Sequence, residues 1–255
     1  MKVLKSLVIA FSLYSAIPMP QFTWEEEDMR YVLCFFPWIG AVIGAVLYGW
    51  GMVAQSWEIG TLCYSCIGAT IPLVITGGFH VDGFMDTMDA FHSYQQRERK
   101  LEILTDSHIG AFSVIMLGLY ALIYIGAFSE IEDIRALVVV GAGFFLTRVL
   151  SGLAVVTFPA AKKEGMLFLF SCSAQKKIVI MALLLQGIVC MVFMLYQSCV
   201  YGVFVGGTAV VVFVYYYFRT KKELGGITGD TAGYFVVLCE GCMMVAVAGL
   251  QVLGI

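Results

Sequence analysis

The chain has 255 residues, of which 60% are hydrophobic and only 13% are charged, and its formal net charge is −3. A soluble globular chain is about 45–50% apolar and about 25% charged, so this composition excludes a soluble domain, and the small net charge gives no reason to expect nucleic-acid binding. Nearly uncharged windows of about 18 residues recur along the sequence, which indicates helices in a lipid bilayer. We therefore expect one all-α, polytopic integral membrane domain over residues 1–255.

The first apolar run, residues 3–17, is too short to cross a bilayer, and we expect a retained re-entrant or interfacial helix there. Seven longer runs follow, each long enough to cross about 30 Å of hydrocarbon as a helix. These spans are predicted at residues 31–54, 61–79, 109–128, 134–158, 178–196, 199–217 and 232–254.

Positive charge is concentrated in alternate loops. Ten of the fifteen Lys and Arg residues fall in residues 80–108, 159–177 and 218–231. With seven spans these three loops share one side, and the excess of basic residues makes that side cytoplasmic. We expect a multi-pass protein of the inner cell membrane, with its functional loops facing the cytoplasm and its C-terminus outside.

The first of these loops begins with HVDGFMDTMDAFH, residues 80–92. On a helix, Asp82, Asp86 and Asp89 fall within an arc of about 60°. Three carboxylates side by side at a membrane edge call for a compensating cation, and Mg²⁺ prefers oxygen ligands. All three are therefore predicted as catalytic residues and Mg²⁺ ligands. The alternative is a solvated acidic helix start that favours the helix dipole.

Three other positions are candidates for substrate binding. His80 is interpreted as a substrate contact. Asp106 precedes a span, where an N-cap and a ligand role are both open. Arg148 and Glu240 are charges inside spans; they either pair with each other, or Arg148 reaches a substrate phosphate.

A glycine-rich turn, GGITGDTAGY at residues 225–234, comes just before the last span. Backbone N–H groups in such a turn, leading into a helix N-terminus, bind anions, although a merely flexible turn is the alternative. It lacks the Lys of a Walker A loop. We expect a shared substrate site on this face, formed by these residues and two lysines of the neighbouring loop: Gly225, Gly226, Thr228, Gly229, Asp230, Lys162 and Lys163.

The motifs FHVDGFMDTMDAF, DSHIGAF and GGITGD together resemble the cobalamin synthase family, also called adenosylcobinamide-GDP ribazoletransferase. The stretches IPMP, FFPWIGAVIGA and FPAAKKEGM are also similar to that family, so the resemblance covers residues 11–240. The chain departs from the family pattern at Ala16, Ala90 and His108, where a basic residue, a glycine and an arginine are usual.

The resemblance implies a specific reaction. The ribose 3′-hydroxyl of α-ribazole, or of α-ribazole 5′-phosphate, attacks the cobinamide-linked phosphorus of adenosylcobinamide-GDP. GMP leaves, and the nucleotide loop of adenosylcobalamin is completed. Mg²⁺ is the implied cofactor; Asp82 and Asp86 would be its ligands, and Asp89 a ligand or the base.

Two other functions remain open. The nearest is another Mg²⁺-dependent membrane phosphotransferase of the CDP-alcohol or prenyl type, although a prenyltransferase would carry a second aspartate-rich motif in its later half. A cation-coupled transporter would instead place charges deep in its spans and show inverted repeats. The residues leave the oligomeric state open, including a homo-oligomer.

Overall fold

A computed structural model describes residues 2–21 and 23–255. Its described residues form helices and no strand, apart from one isolated bridge between Ala160 and Ile227. A short 3-10 helix, Glu26–Tyr31, precedes α2. The α-helices are α1 Lys2–Tyr14, α2 Val32–Ser56, α3 Thr61–Thr76, α4 Phe79–His92, α5 Arg97–Ile103, α6 Ala111–Ser129, α7 Ile134–Thr157, α8 Met166–Ser173, α9 Lys176–Gln197, α10 Cys199–Leu224 and α11 Gly229–Val252.

Six helices in the described part of the chain are long and apolar enough to cross a membrane: α2, α6, α7, α9, α10 and α11. Helices α3 and α4 reach the required length and hydropathy only as a pair, bent by 96° at the break between them, so the count is six, or seven if this pair is one span. The predicted all-α polytopic architecture is therefore confirmed. Helix α1 has only 13 residues and packs against α2, in agreement with a short first helix.

Two segments differ from the expected boundaries. The run predicted at 61–79 ends at Thr76, because Gly77 and Gly78 both adopt left-handed backbone angles that stop the helix. The chain then turns into α4, the helix expected for the three aspartates, and the connection predicted at 80–108 also contains a second helix, α5. Helix α10 extends to Leu224 instead of ending at residue 217, since its basic last turn suits the negative end of the helix dipole.

Helix α7 is the centre of the bundle. Sixteen of its 24 residues are buried, and it packs against α2, α9, α10 and α11. Its contact with α2 depends on small residues, since a Cβ on Gly44 would lie 2.6 Å from the carbonyl oxygen of Gly141. Close backbone approach of this kind is how helices pack in a bilayer, where burial from water no longer drives association.

The three basic segments meet at one end of the bundle. Lys100 forms an ion pair with Glu223, and the Lys162 Nζ donates to the carbonyl oxygen of Leu101 at 2.9 Å. At the opposite end, the Gln251 side chain accepts from the backbone N–H of Glu132 and donates to the Tyr201 hydroxyl. The loops that were predicted to share a face therefore do so.

The Gly44–Gly141 contact gives a first prediction. Gly44→Val should force α2 and α7 apart and destabilise the bundle by about 1–3 kcal/mol, the usual cost of overpacking. The apparent Tm of the detergent-purified protein should fall by about 2–4 °C per kcal/mol. Gly49→Val is the matched control on the same helix, because a Cβ there meets nothing within 4 Å. Equal Tm values for the two variants would contradict the packing assignment.

Candidate active site

Helix α4 lies directly on the start of α11, with backbone against backbone. A Cβ on Gly83 would lie 2.7 Å from the carbonyl oxygen of Asp230, and one on Gly233 would lie 2.9 Å from that of His80. Beside this contact the rings of Phe84 and Tyr234 stack with centroids 6.0 Å apart. Because neither glycine has a side chain, the aspartate helix and the glycine-rich turn come together, although they are far apart in sequence.

The glycine-rich turn is also tied to the loop that carries Lys162. The backbone N–H of Ile227 donates to the Pro159 carbonyl oxygen, and the N–H of Ala161 donates to the Ile227 carbonyl oxygen, both at 2.9 Å. A Cβ on Gly226 would lie 2.8 Å from the Ala161 nitrogen. Gly226 therefore allows close approach of these two segments.

The turn ends by capping α11. The Thr228 hydroxyl accepts from the N–H of Thr231, and the Thr231 hydroxyl accepts from the N–H of Thr228. This reciprocal pair fixes where the helix begins. Gly225, with φ +75°, closes α10 and packs against the Arg97 guanidinium. Gly225 and Gly226 thus have structural roles in the turn, while the N-terminus of α11 faces open space.

That open space is a cavity of about 300 Å³ between α4, the loop before α8 and the start of α11. Asp82, Asp230 and Glu164 contribute carboxylates to its wall, and Lys162 contributes a cation. Its other lining residues are Phe79, Gly83, Thr105, Gly165, Met166, Leu167, Phe168, Ile227, Thr228 and Gly229. The structure therefore brings together Asp82, Lys162, Thr228, Gly229 and Asp230 of the predicted site.

Negative charge accumulates on this side of α4. Burial, followed by the neighbouring carboxylates of Asp82, Asp230 and Asp89, raises the pKa of Asp86 to about 6. Burial and the neighbouring carboxylates therefore disfavour the charged form of Asp86 relative to a free aspartate. A bound divalent ion or a nearby basic group would lower that cost.

The donor set fits Mg²⁺ held jointly with substrate. Within residues 2–21 and 23–255, no group of three or more His, Cys, Asp and Glu side chains is close enough to hold a metal ion. Mg²⁺ does not need such a cage, since it keeps several waters and is commonly bound by one or two carboxylates plus substrate phosphates. Asp82 lines the cavity and Asp86, one helical turn further along α4, is not among its lining residues. These two carboxylates are the ones predicted for that role, and Mg²⁺ binding remains a prediction.

Asp89 shares the helix face of the other two aspartates but binds a different neighbour. Its Oδ2 accepts from the N–H of Gly110 at 2.6 Å, and its Oδ1 accepts from the N–H of Ser113 at 2.9 Å. It therefore caps α6 from another helix. A Cβ on Gly110 would lie 2.5 Å from the same carboxylate. Its predicted role as ligand or base stays a prediction, with both oxygens already engaged.

Arg148 and Glu240 form the predicted pair. The fully buried Arg148 donates to Glu240 Oε1 at 2.6 Å and to the Phe144 carbonyl oxygen at 2.8 Å. Neither charged residue lines the cavity. A contact between Arg148 and a substrate phosphate stays a prediction, since the structure places this arginine inside the bundle.

The family model described as cobalamin-5-phosphate synthase matches residues 6–248. The chain belongs to the cobalamin-5-phosphate synthase family. Like its relatives, it is a transferase. No solved structure matches the chain.

Three curated relatives, all named adenosylcobinamide-GDP ribazoletransferase, represent the family. The protein from Lachnoclostridium phytofermentans is 41% identical over 257 residues, covering 100% of this chain and 98% of the relative. The Clostridium perfringens protein is 30% identical, and the match covers 92% of this chain and 94% of the relative. The Listeria monocytogenes protein is 32% identical, and the match covers 90% of this chain and 92% of the relative.

Three positions were expected to depart from the family pattern: His108, Ala90 and Ala16. His108 donates its N–H to Asp106, and its Nδ1 lies 2.6 Å from the same carboxylate; this hydrogen bond is the main cause that lowers the Asp106 pKa. Ala90 is fully buried. The N–H of Ala16 donates to the Ile75 carbonyl oxygen beside the bend before α4.

The remaining predicted residues lie around the cavity. Asp106 is exposed, and its neighbour Thr105 lines the wall instead. Lys163 is exposed, and His80 is buried beside a second cavity. Sequence reasoning missed Glu164 and Thr105 as lining residues. The only signal for Glu164 was its place in the family-like stretch FPAAKKEGM.

The Asp89 cap gives the second prediction. Asp89→Ala leaves two N–H groups at the start of α6 without their acceptor and should cost about 0.5–2 kcal/mol of stability. Asp89→Asn keeps one acceptor oxygen, so its stability should lie between that of Asp89→Ala and that of the wild type. Thermal unfolding and amide exchange at residues 110–113 measure the effect. Wild-type stability and protection in both variants, with turnover lost, would instead assign Asp89 to the chemistry alone.

Proposed function

We propose that the protein transfers α-ribazole, or α-ribazole 5′-phosphate, onto adenosylcobinamide-GDP and releases GMP, which completes the nucleotide loop of adenosylcobalamin. The observation that carries the proposal is the cavity in which Asp82 and Asp230 face Lys162 and the N-terminus of α11. The relative from Lachnoclostridium phytofermentans, whose name states this transfer, aligns with the full length of the chain.

The chemistry requires a charged diphosphate to be held and neutralised. Lys162 and the first N–H groups of α11 favour phosphate oxygens at one side of the cavity. The acidic residues Asp82 and Asp86 would hold Mg²⁺, which when bound supplies positive charge to the diphosphate oxygens. Phosphoryl transfer depends mainly on such positioning and charge stabilisation.

The proposed reaction forms one bond to phosphorus and breaks another. The ribose hydroxyl oxygen forms a bond to the cobinamide-linked phosphorus, and the bond from that phosphorus to the GMP oxygen breaks. The hydroxyl proton passes to a carboxylate at the cavity wall, where Asp82 and Asp230 both lie. Asp89 would support the reaction by holding α6 and the adjoining loop in place.

The alternative functions receive less support. In a cation-coupled transporter the ion-binding carboxylates lie near the middle of the membrane, whereas Asp82, Asp86 and Asp230 lie at one end of this bundle. The charges found deeper, Arg148 and Glu240, neutralise each other. A different phosphotransferase would use the same carboxylates, so only the substrates separate it from the proposal.

We further propose that the cavity faces the cytoplasm. It is surrounded by the segments that carry most of the basic residues, while the opposite end has few. This asymmetry is the usual determinant of orientation in the inner cell membrane.

The reaction and its carboxylates give the third prediction. Purified protein supplied with adenosylcobinamide-GDP, α-ribazole and Mg²⁺ should release GMP, and removal of Mg²⁺ with EDTA should stop the release. Asp82→Asn and Asp86→Asn should each lower kcat by about 10²-fold or more, because charge stabilisation of the transferred group is lost. Glu130→Gln, an exposed residue at the opposite end, should keep the wild-type rate. No GMP release by the wild type would refute the proposal.

Orientation gives the fourth prediction. In a background without the eight native cysteines, Tyr94→Cys and Tyr196→Cys place single thiols at exposed positions near opposite ends of the bundle. A membrane-impermeant maleimide added to intact spheroplasts should label position 196 but reach position 94 only after the membrane is permeabilised. The reverse pattern would show that the cavity faces outward.

A further inference from the structure

A second, smaller cavity lies next to the active-site cavity. It measures about 130 Å³ and shares Phe79, Met166, Leu167 and Gly229 with the larger one. Its wall combines side chains from α1, α2, α4, α7, α8 and α11. The two cavities are therefore neighbours that meet at these four residues. The larger, which contains the carboxylates and Lys162, is the polar compartment, and the smaller is the apolar compartment.

Aromatic rings surround the smaller cavity. Tyr14 lies at its edge, with ring centroids 4.5 Å from Phe36, 6.0 Å from Phe79 and 6.1 Å from Phe170. The imidazole of His80 lies 5.7 Å from the Phe36 ring. Such a wall suits a flat aromatic ligand, since ring pairs prefer tilted or edge-to-face contacts at these distances.

One residue of this wall carries a buried polar atom without a partner. His80 is only 5% exposed and lines the cavity, and its Nε2 has no hydrogen-bond partner among the residues the structure describes. Leaving a buried imidazole nitrogen unpaired costs about 1–3 kcal/mol. A ligand that offers a single hydrogen-bonding atom within an otherwise apolar ring would remove that cost.

We propose that this cavity is the subsite for the aromatic base of the nucleoside acceptor, with the His80 Nε2–H donating to the free ring nitrogen of the base. The inference rests on the proposed function, in which the acceptor is a riboside of a benzimidazole. An apolar cavity of about 150 Å³ holds benzene, and this cavity, at about 130 Å³, is close to the size of a site for the six-membered ring. The flexible side chain of Met166, half exposed at the shared wall, allows the remainder to fit.

The placement explains how the acceptor is oriented. With the base in the apolar cavity, its ribose lies at the wall shared through Phe79 and Gly229. The ribose hydroxyl is then directed toward the compartment that contains Asp82 and Asp230. The diphosphate of the other substrate occupies the polar compartment, so each substrate has its own binding site.

Filling the cavity tests the proposal. Val155 lines the wall of the cavity on α7, and Val155→Phe should raise KM for α-ribazole about tenfold or more. KM for adenosylcobinamide-GDP should stay within about twofold, because the polar compartment is unchanged. Val211→Phe, the same substitution at a valine that faces lipid and is 68% exposed, is the matched control. A rise in KM for adenosylcobinamide-GDP alone would assign the cavity to the corrinoid instead.

A comparison of acceptor substrates with different bases gives a kinetic ratio that a loss of protein stability does not change. With Val155→Phe, the ratio of kcat/KM for the riboside of unsubstituted benzimidazole to that of its dimethylated form should rise about tenfold. An unchanged ratio would overturn the proposal.

A second variant pair tests the hydrogen bond and does not depend on Val155→Phe folding. His80→Phe keeps a ring but removes the donor, and should raise KM for α-ribazole about tenfold; His80→Gln retains a donor and should recover part of the loss. Equal KM values for wild type and both variants would overturn the assignment of His80. If the wild-type protein releases no GMP, the proposed function is refuted. If the wild type turns over normally and no variant changes the KM for α-ribazole, only the proposed base subsite is refuted.

Discussion

The backbone contact between α4 and α11 is the constraint on which the site depends. Gly83 lies against Asp230, and Gly233 lies against His80, at distances that leave no room for a side chain. A methyl group at either glycine would push the two helices apart, and Asp82 would then move away from the N-terminus of α11. Asp82 and the glycine-rich turn line one cavity because of this contact.

The other contacts at this end extend the same arrangement. Asp89 holds the start of α6, and Ile227 holds the loop that carries Lys162. Residues of one motif therefore divide into two kinds, those that face the cavity and those that fix a neighbouring segment. In the aspartate motif, Asp82 belongs to the first kind and Asp89 to the second, and both are needed to form the site.

Below the site, the interior of the bundle contains a buried ion pair and an apolar cavity. Arg148 and Glu240 bind each other in the interior, where an unpaired charge would be strongly destabilising. Phe36, whose ring centroid lies 5.9 Å from the Arg148 guanidinium, lines the aromatic cavity beside His80, and that cavity shares Phe79 and Gly229 with the polar compartment. The proposed transfer between a charged diphosphate and a nucleoside with an apolar base would use two such environments side by side, at the junction of α4, α8 and α11.

The all-α polytopic fold and the shared face of the three basic loops follow from sequence alone, since hydropathy and the distribution of Lys and Arg are properties of local segments. The number of crossings does not, because α3 and α4 count as a span only as a bent pair. Helical periodicity likewise places Asp82, Asp86 and Asp89 on one face. It does not determine which neighbour each carboxylate meets, so the cap formed by Asp89 on α6 was not foreseen. The 96° bend, the Arg148–Glu240 pair and the second cavity depend on residues far apart in the chain. Such contacts exist only once whole helices have packed, and for that reason only the tertiary structure decides them.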